Sequence, residues 1–197
     1  MAVASLGFRT DLMILSLLGS TVEHEDGYAV VRTPSNPTFH WGNFLLLAGP
    51  PAPGSVPGWV ETFSRTFPDA EHLTLGVDGT DGEAGDPAEL ARLGLEREIS
   101  TVMTATTVHP PPRPNTYATY RPLDGDADWS AALAVRAAGN EDFPPEDYLV
   151  FARRHLDSMR ALQEQGYGAW FGAFVDDAMV AGLGIFADTD GVARFQS

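Results

Sequence analysis

The chain contains neither cysteine nor lysine. Without cysteine there is no disulfide, no thiolate nucleophile and no cysteine-zinc site. Without lysine, Schiff-base chemistry and a lysine-bearing phosphate loop are excluded. All 12 cations are arginine, set against 27 carboxylates for a formal net charge of −15. The deficit runs along the whole chain, −9 over residues 1–110 (5 Arg, 14 acids) and −6 over residues 111–197 (7 Arg, 13 acids). Nucleic-acid binding needs clustered cations to displace counterions from phosphates, so no nucleic-acid partner is expected. Long apolar runs are also lacking. The segment "LMILSLLG" at 12–19 is far too short to span a bilayer, and no small-residue cleavage site follows it. A cytoplasmic protein without a membrane partner is the expectation.

What is present suits a folded core: 44% hydrophobic and 10% aromatic residues over 197 positions, enough for one large domain or two small ones. Residues 10–18 predict a short helix capped by Thr10 or Asp11. Asp26-Gly27 between two alternating runs predicts a hairpin. "WGNFLLLAG" reads as a central strand buried on both faces, and "GPPAPGSVPG" as loop. Trp59, Val60, Phe63 and Phe67 have the spacing of an amphipathic helix. "HLTLGV" predicts a strand, "PAELARLGL" a helix with Asp86 as cap and Pro87 in its first turn, and "EREISTVMTATTV" a long β-branched strand.

"HPPPRPN" at 109–115 is a stiff, proline-rich linker between residues 1–108 and residues 116–197. After it come a strand at "YATYRPL" and a helix ending at Gly139. A second helix follows, with an apolar stripe of Tyr148, Phe151, Ala152, Leu156, Met159 and Leu162. It starts at Pro144 or Pro145 and ends at Gly166. "AWFGAFV" and "MVAGLGIFA", joined by Asp176-Asp177, then form a hairpin, and "VARFQS" follows the turn at 188–191 as what reads as a buried strand.

Several patterns that suggest chemistry have plainer readings. "DGDADW" places acids at calcium-loop spacing, but Trp129 and Val135 stand where glycine and glutamate are needed, so it is read as a capping cluster. "DGTDGEAGD" is an acidic surface turn. The five histidines show no ligand spacing, so no metal is expected, and His155 beside the apolar stripe reads as a satisfied, partly buried side chain. Trp41, Phe44, Trp59, Phe63, Phe67, Trp170 and Phe174 are assigned to core packing.

The segments "YRPLDGDADWSAALAV", the helix pair and "GAWFGAFVDDAMVAGLGIFADTDGVARFQS" resemble the first half of the GNAT superfamily, the acyl-CoA-dependent N-acetyltransferases. Gly182 and Gly184 are typical of that family's third strand. The resemblance implies an α/β fold with a mixed sheet. Residues 116–197 would be the first half of an acetyltransferase module, and residues 1–108 a degenerate module in the order of the family's later half. It also implies that the chain stops before the loop that grips the pyrophosphate of acetyl-CoA, and so lacks activity by itself. The expected reaction is acetyl transfer from acetyl-CoA to a small primary amine by direct attack. Phe195, Gln196 and Ser197 are then the cofactor contacts. The loop "AAGNEDFPPEDY" lines the acceptor site, with Asn140, Glu141 and Tyr148 binding substrate and Glu141 and Asp142 as candidate bases. Helix capping and solvation explain most of this acidic cluster. In the N-terminal part, the prolines of "PPAPGSVPG" lack the N–H donors a pyrophosphate needs. The alternative function is a non-catalytic module that binds a small molecule or a partner. The last strand, an edge with an apolar flank, is also a candidate for pairing with a second copy.

Overall fold

The computed structural model describes residues 1–188 and 191–196. The protein is α+β; the described residues form two four-stranded sheets, one mixed and one antiparallel, and five α-helices. The chain divides between Met103 and Thr104 into two compact units.

The first unit begins with α1 (Leu6–Leu17). Its cap is Ser5, whose hydroxyl accepts from the Phe8 N–H at 3.1 Å, rather than the expected Thr10 or Asp11. Thr10 lies inside the helix, its hydroxyl donating to the carbonyls of Leu6 and Gly7. Strands β1 (Thr21–His24), β2 (Tyr28–Arg32) and β3 (Phe44–Leu47) are antiparallel, and β4 (Leu75–Val77) runs parallel to β3. The Asp26-Gly27 turn closes the first hairpin with Gly27 at a φ of 81°, a value only glycine adopts without strain.

All of β3 is buried because both faces of the sheet are covered. Leu15 of α1 packs with Ala29, Val31, Phe44 and Leu46 on one side. Phe63 of α2 (Val56–Thr66) packs with Val30, Leu45 and Leu47 on the other. Helix α2 starts at Val56, inside the stretch read as loop, since Pro57 fits a first helical turn where its missing N–H is no loss. The buried Asp78 carboxylate, just past β4, accepts the N–H groups of Ala4 (2.6 Å) and Ser5 (2.9 Å). This ties the start of α1 to the sheet. Helix α3 (Pro87–Arg92) has the expected Asp86 cap.

Two expectations fail in this unit. Residues 96–108 form no strand. Ile99, Val102, Met103 and Val108 are exposed; β-branched residues favour strands only where a neighbouring strand and a buried face are available. Trp41 is 46% exposed; it sits in a 3₁₀ turn (His40–Gly42), where it meets the ring of Phe44 edge-on.

The second unit is an antiparallel sheet in the order β5 (Thr119–Pro122), β6 (Gly168–Val175), β7 (Ala178–Ala187) and β8 (Ala193–Gln196). Helices α4 (Gly125–Ala138) and α5 (Pro145–Glu164) connect β5 to β6. Period-2 alternation sends Trp170, Phe174 and Phe186 inward, where α4 and α5 supply Trp129, Ala132, Ala152, Leu156, Met159 and Leu162. The indole of Trp170 lies across β7 over Gly182 and Gly184. A Cβ on Gly182 would come within 2.7 Å of the indole Nε1, and one on Gly184 within 2.8 Å of its Cε3. The two glycines therefore make room for a ring. Asp176 and Asp177 both take left-handed conformations in the β6–β7 turn, as the mirror-image hairpin turns require.

β8 does not form the buried strand that its sequence suggests. It is an edge strand, and Phe195 is 65% exposed.

Candidate functional site

The loop between α4 and α5 holds the expected acceptor-side residues. Asn140 folds back on the loop itself: its amide donates to the Phe143 carbonyl at 2.8 Å and its oxygen accepts the Phe143 N–H at 3.2 Å. Both ends of that side chain are thus engaged in shaping the turn. Glu141 and Asp142 are exposed. Glu146 and Asp147 fall in the first turn of α5, where carboxylates meet the positive end of the helix dipole. Tyr148 is half-buried, its ring stacked on Phe143 with centroids 6.3 Å apart.

From Tyr148 a run of rings leads inward through Phe151 (5.9 Å) and His155 (5.8 Å) to Trp170 (6.3 Å). Arg136 of α4 lies beside this run, with its guanidinium 5.7 Å from the Phe151 ring centre and 6.0 Å from that of Trp170. It donates to His155 Nδ1 at 2.7 Å. Since arginine only donates, that nitrogen is the acceptor and the imidazole is neutral. Burial, reinforced by the Arg136 charge, holds the His155 pKa down to about 3. His155 is therefore a core residue with a defined tautomer, more deeply buried than its sequence position suggests. The Arg136–His155 pair was not legible in the sequence, where the two positions lie 19 residues apart on different helices.

The expected cofactor contacts fall on a different element, β8. Phe195 and Gln196 lie on β8, paired with Ile185 and Gly184, and the Gln196 amide donates to the Phe195 carbonyl. Ser197 lies outside the described residues. Among the described residues, no hydrogen bond or ring contact joins the loop candidates to Phe195 or Gln196.

β5 is fixed to the helix layer by charge. Arg121 grips Asp128 in a two-pronged ion pair, Nη2 to Oδ1 at 2.9 Å, while its guanidinium sits 3.9 Å over the Phe174 ring. The hydrogen bond from Arg121 holds the Asp128 carboxyl below the usual carboxylate range. Asp128 also accepts the Asp124 N–H at 2.8 Å, so the acidic "DGDADW" cluster serves the start of α4. Among the described residues no group of His, Asp and Glu is arranged to hold a metal ion.

In the first unit, the loop from β3 into α2 lies at the carboxyl end of a parallel strand pair, the common position for ligands in such sheets. It borders an open cleft of about 750 Å³ lined by Leu47, Gly49, Pro50, Pro51, Gly58 and Trp59 among others. The amides at the start of α2 are already engaged. Glu89 of α3 is 5% exposed, and its carboxylate accepts the N–H of Gly54 at 2.8 Å and of Val56 at 3.2 Å. Glu89 reads in sequence as an ordinary first-turn acid, and its partners 33 and 35 residues away leave no local signal.

No helix among the described residues is long and apolar enough to cross a membrane. No family model, curated protein or solved structure matches this chain.

Proposed function

We propose that the second unit is the acceptor-amine part of a GNAT-type N-acetyltransferase, in which acetyl-CoA supplies an activated thioester and a primary amine attacks it directly. The observation that carries this reading is the connectivity. A strand, two helices and three further strands lie in the sheet order β5-β6-β7-β8, all antiparallel, the order that the resemblance implies. The first unit supports it in part, with three antiparallel strands, a helix, a parallel strand and a further helix, but without the closing strand expected at residues 96–108.

On this reading Glu141 and Asp142 attract a cationic amine to the loop after α4, and Tyr148 and Phe143 offer ring faces beside them. β8 is the last strand of the sheet, beside which an amide-bearing arm would run. The first unit does not fit the diphosphate of acetyl-CoA, because the prolines of its loop carry no N–H and Glu89 holds the amides of Gly54 and Val56. A small primary alkylamine and its neutral alcohol analogue, titrated separately into the 197-residue chain, test the proposal. The amine is expected to shift backbone resonances of residues 140–148 while the alcohol leaves them unchanged. Pairing Glu141→Gln with Asp142→Asn is expected to weaken amine binding only a few-fold, because exposed ion pairs contribute about 0.2–1 kcal/mol each. If neither compound moves the loop, it is not an acceptor site.

The alternative reading is a non-catalytic binding module of the same fold. The closure of the α2 amides by Glu89 favours it for the first unit.

A further inference from the structure

We infer that the cleft beside β3 and α2 is a binding site for an uncharged, flat, apolar small molecule, and that Glu89 bars anions from it. At about 750 Å³ the cleft falls in the range of small-molecule sites. None of its lining residues is charged; Pro50 and Trp59 supply apolar surface, Ser55 and Thr62 add hydroxyl groups, and a Cβ on Gly49 or Gly58 would meet nothing within 4 Å. Trp59 is held in place for stacking, its ring meeting Tyr28 edge-on at 5.3 Å and 71°. A helix N-terminus beside such a cleft would ordinarily attract phosphate or carboxylate. Here the chain's own carboxylate is seated on those amides, bound to both Gly54 and Val56 and withdrawn from water. An incoming anion would have to displace Glu89, which would leave its charge buried and unpaired, or lie against it at like charge. A neutral ring meets neither obstacle and gains the burial of its faces against Trp59 and Pro50.

This inference concerns the first unit alone and does not depend on amine binding by the second. The uncharged fluorophore N-phenyl-1-naphthylamine is the probe for the cleft, and inorganic pyrophosphate the probe for the amides. Two variants fill the cleft from glycines of its own lining. Gly49→Leu and Gly58→Leu each add a side chain where a Cβ meets nothing within 4 Å; neither glycine needs a left-handed conformation. The fluorophore is expected to bind the unaltered chain, and to bind each folded variant at least roughly tenfold more weakly. Pyrophosphate is expected to leave the Gly54 and Val56 amide resonances in place. Folding of each variant is checked by circular dichroism, and the two substitutions lie on different elements, so the failure of one leaves the other as the test. The inference is overturned if the fluorophore does not bind, if it binds a folded variant as well as it binds the parent, or if pyrophosphate shifts those amides.

Discussion

At Nδ1 of His155 the Arg136 guanidinium donates a hydrogen bond that only a neutral imidazole can accept. The folded unit thus keeps this histidine unprotonated down to a pKa of about 3, whereas the unfolded chain takes up a proton near 6.5. Between those values the unfolded state binds more protons, so stability falls as pH falls, by up to about 1.4 kcal/mol per pH unit. Asp128 acts in the same direction at lower pH. Its folded pKa lies below the ordinary value, so its contribution is present above the unfolded carboxylate pKa and lost as pH drops through the folded one. The expected outcome is a melting temperature that declines steadily from pH 7 to pH 4. His155→Gln keeps an acceptor for Arg136 but cannot titrate, so it should flatten the upper part of that decline. Parallel curves for parent and variant would mean that His155 is not the group responsible. Gly184 allows a second residue-scale prediction. A Cβ there would lie 2.7 Å from Phe186 Cε2 and 2.8 Å from Trp170 Cε3, both in fully buried rings. Gly184→Ala should destabilise the chain by about 1–3 kcal/mol in urea unfolding. Gly139→Ala, where the new atom meets only ordinary contacts, should cost much less.

Helix α5 reaches the sheet through one side chain as well as through its apolar stripe. Gln163 donates to the Leu123 carbonyl and accepts the Trp170 N–H, both at 2.8 Å, so it joins the end of β5 to the start of β6. Gln163→Leu should cost about 1–3 kcal/mol in urea unfolding, since it leaves two backbone groups without partners under a packed helix. An unchanged midpoint would show that water replaces the amide there. The elements legible in the sequence were those whose signals are local. Asp86 and Pro87 start α3, Asp26-Gly27 and Asp176-Asp177 close hairpins, and the stripe from Ala152 to Leu162 sets the buried face of α5. The readings that failed depended on a distant neighbour. Residues 96–108 have strand propensity and no strand to pair with, β8 has apolar residues and no second layer over Phe195, and Trp41 is an aromatic residue in a turn. The candidate site divides in the same way. Its loop residues could be named from element order, but the self-closure of Asn140, the Arg136–His155 pair and the Glu89 clamp join positions that sequence alone does not connect.

For the molecule as a whole, the chain's division between Met103 and Thr104 lies in a stretch of exposed residues that make no helix or strand. Exposed, irregular backbone is where proteases cut folded proteins first. The absence of lysine restricts trypsin to arginine. From the end of α3 to the start of β5, the arginines beyond the helix are Arg97 and Arg113. Arg113 is followed by Pro114, whose ring and missing N–H make the bond a poor substrate. Brief trypsin treatment should therefore cut first after Arg97, giving fragments 1–97 and 98–197. Each would keep its own four-stranded sheet, since all strand pairing described runs within one unit. The fragments should persist while further digestion is slow, and each should show its own unfolding transition. The acid-sensitive one should be 98–197, which contains His155 and Asp128. If the first cuts fall within α2 or α5 instead, or if neither fragment survives, the two units do not hold their folds independently. The cleft and the loop after α4 would then have to be tested only in the intact chain.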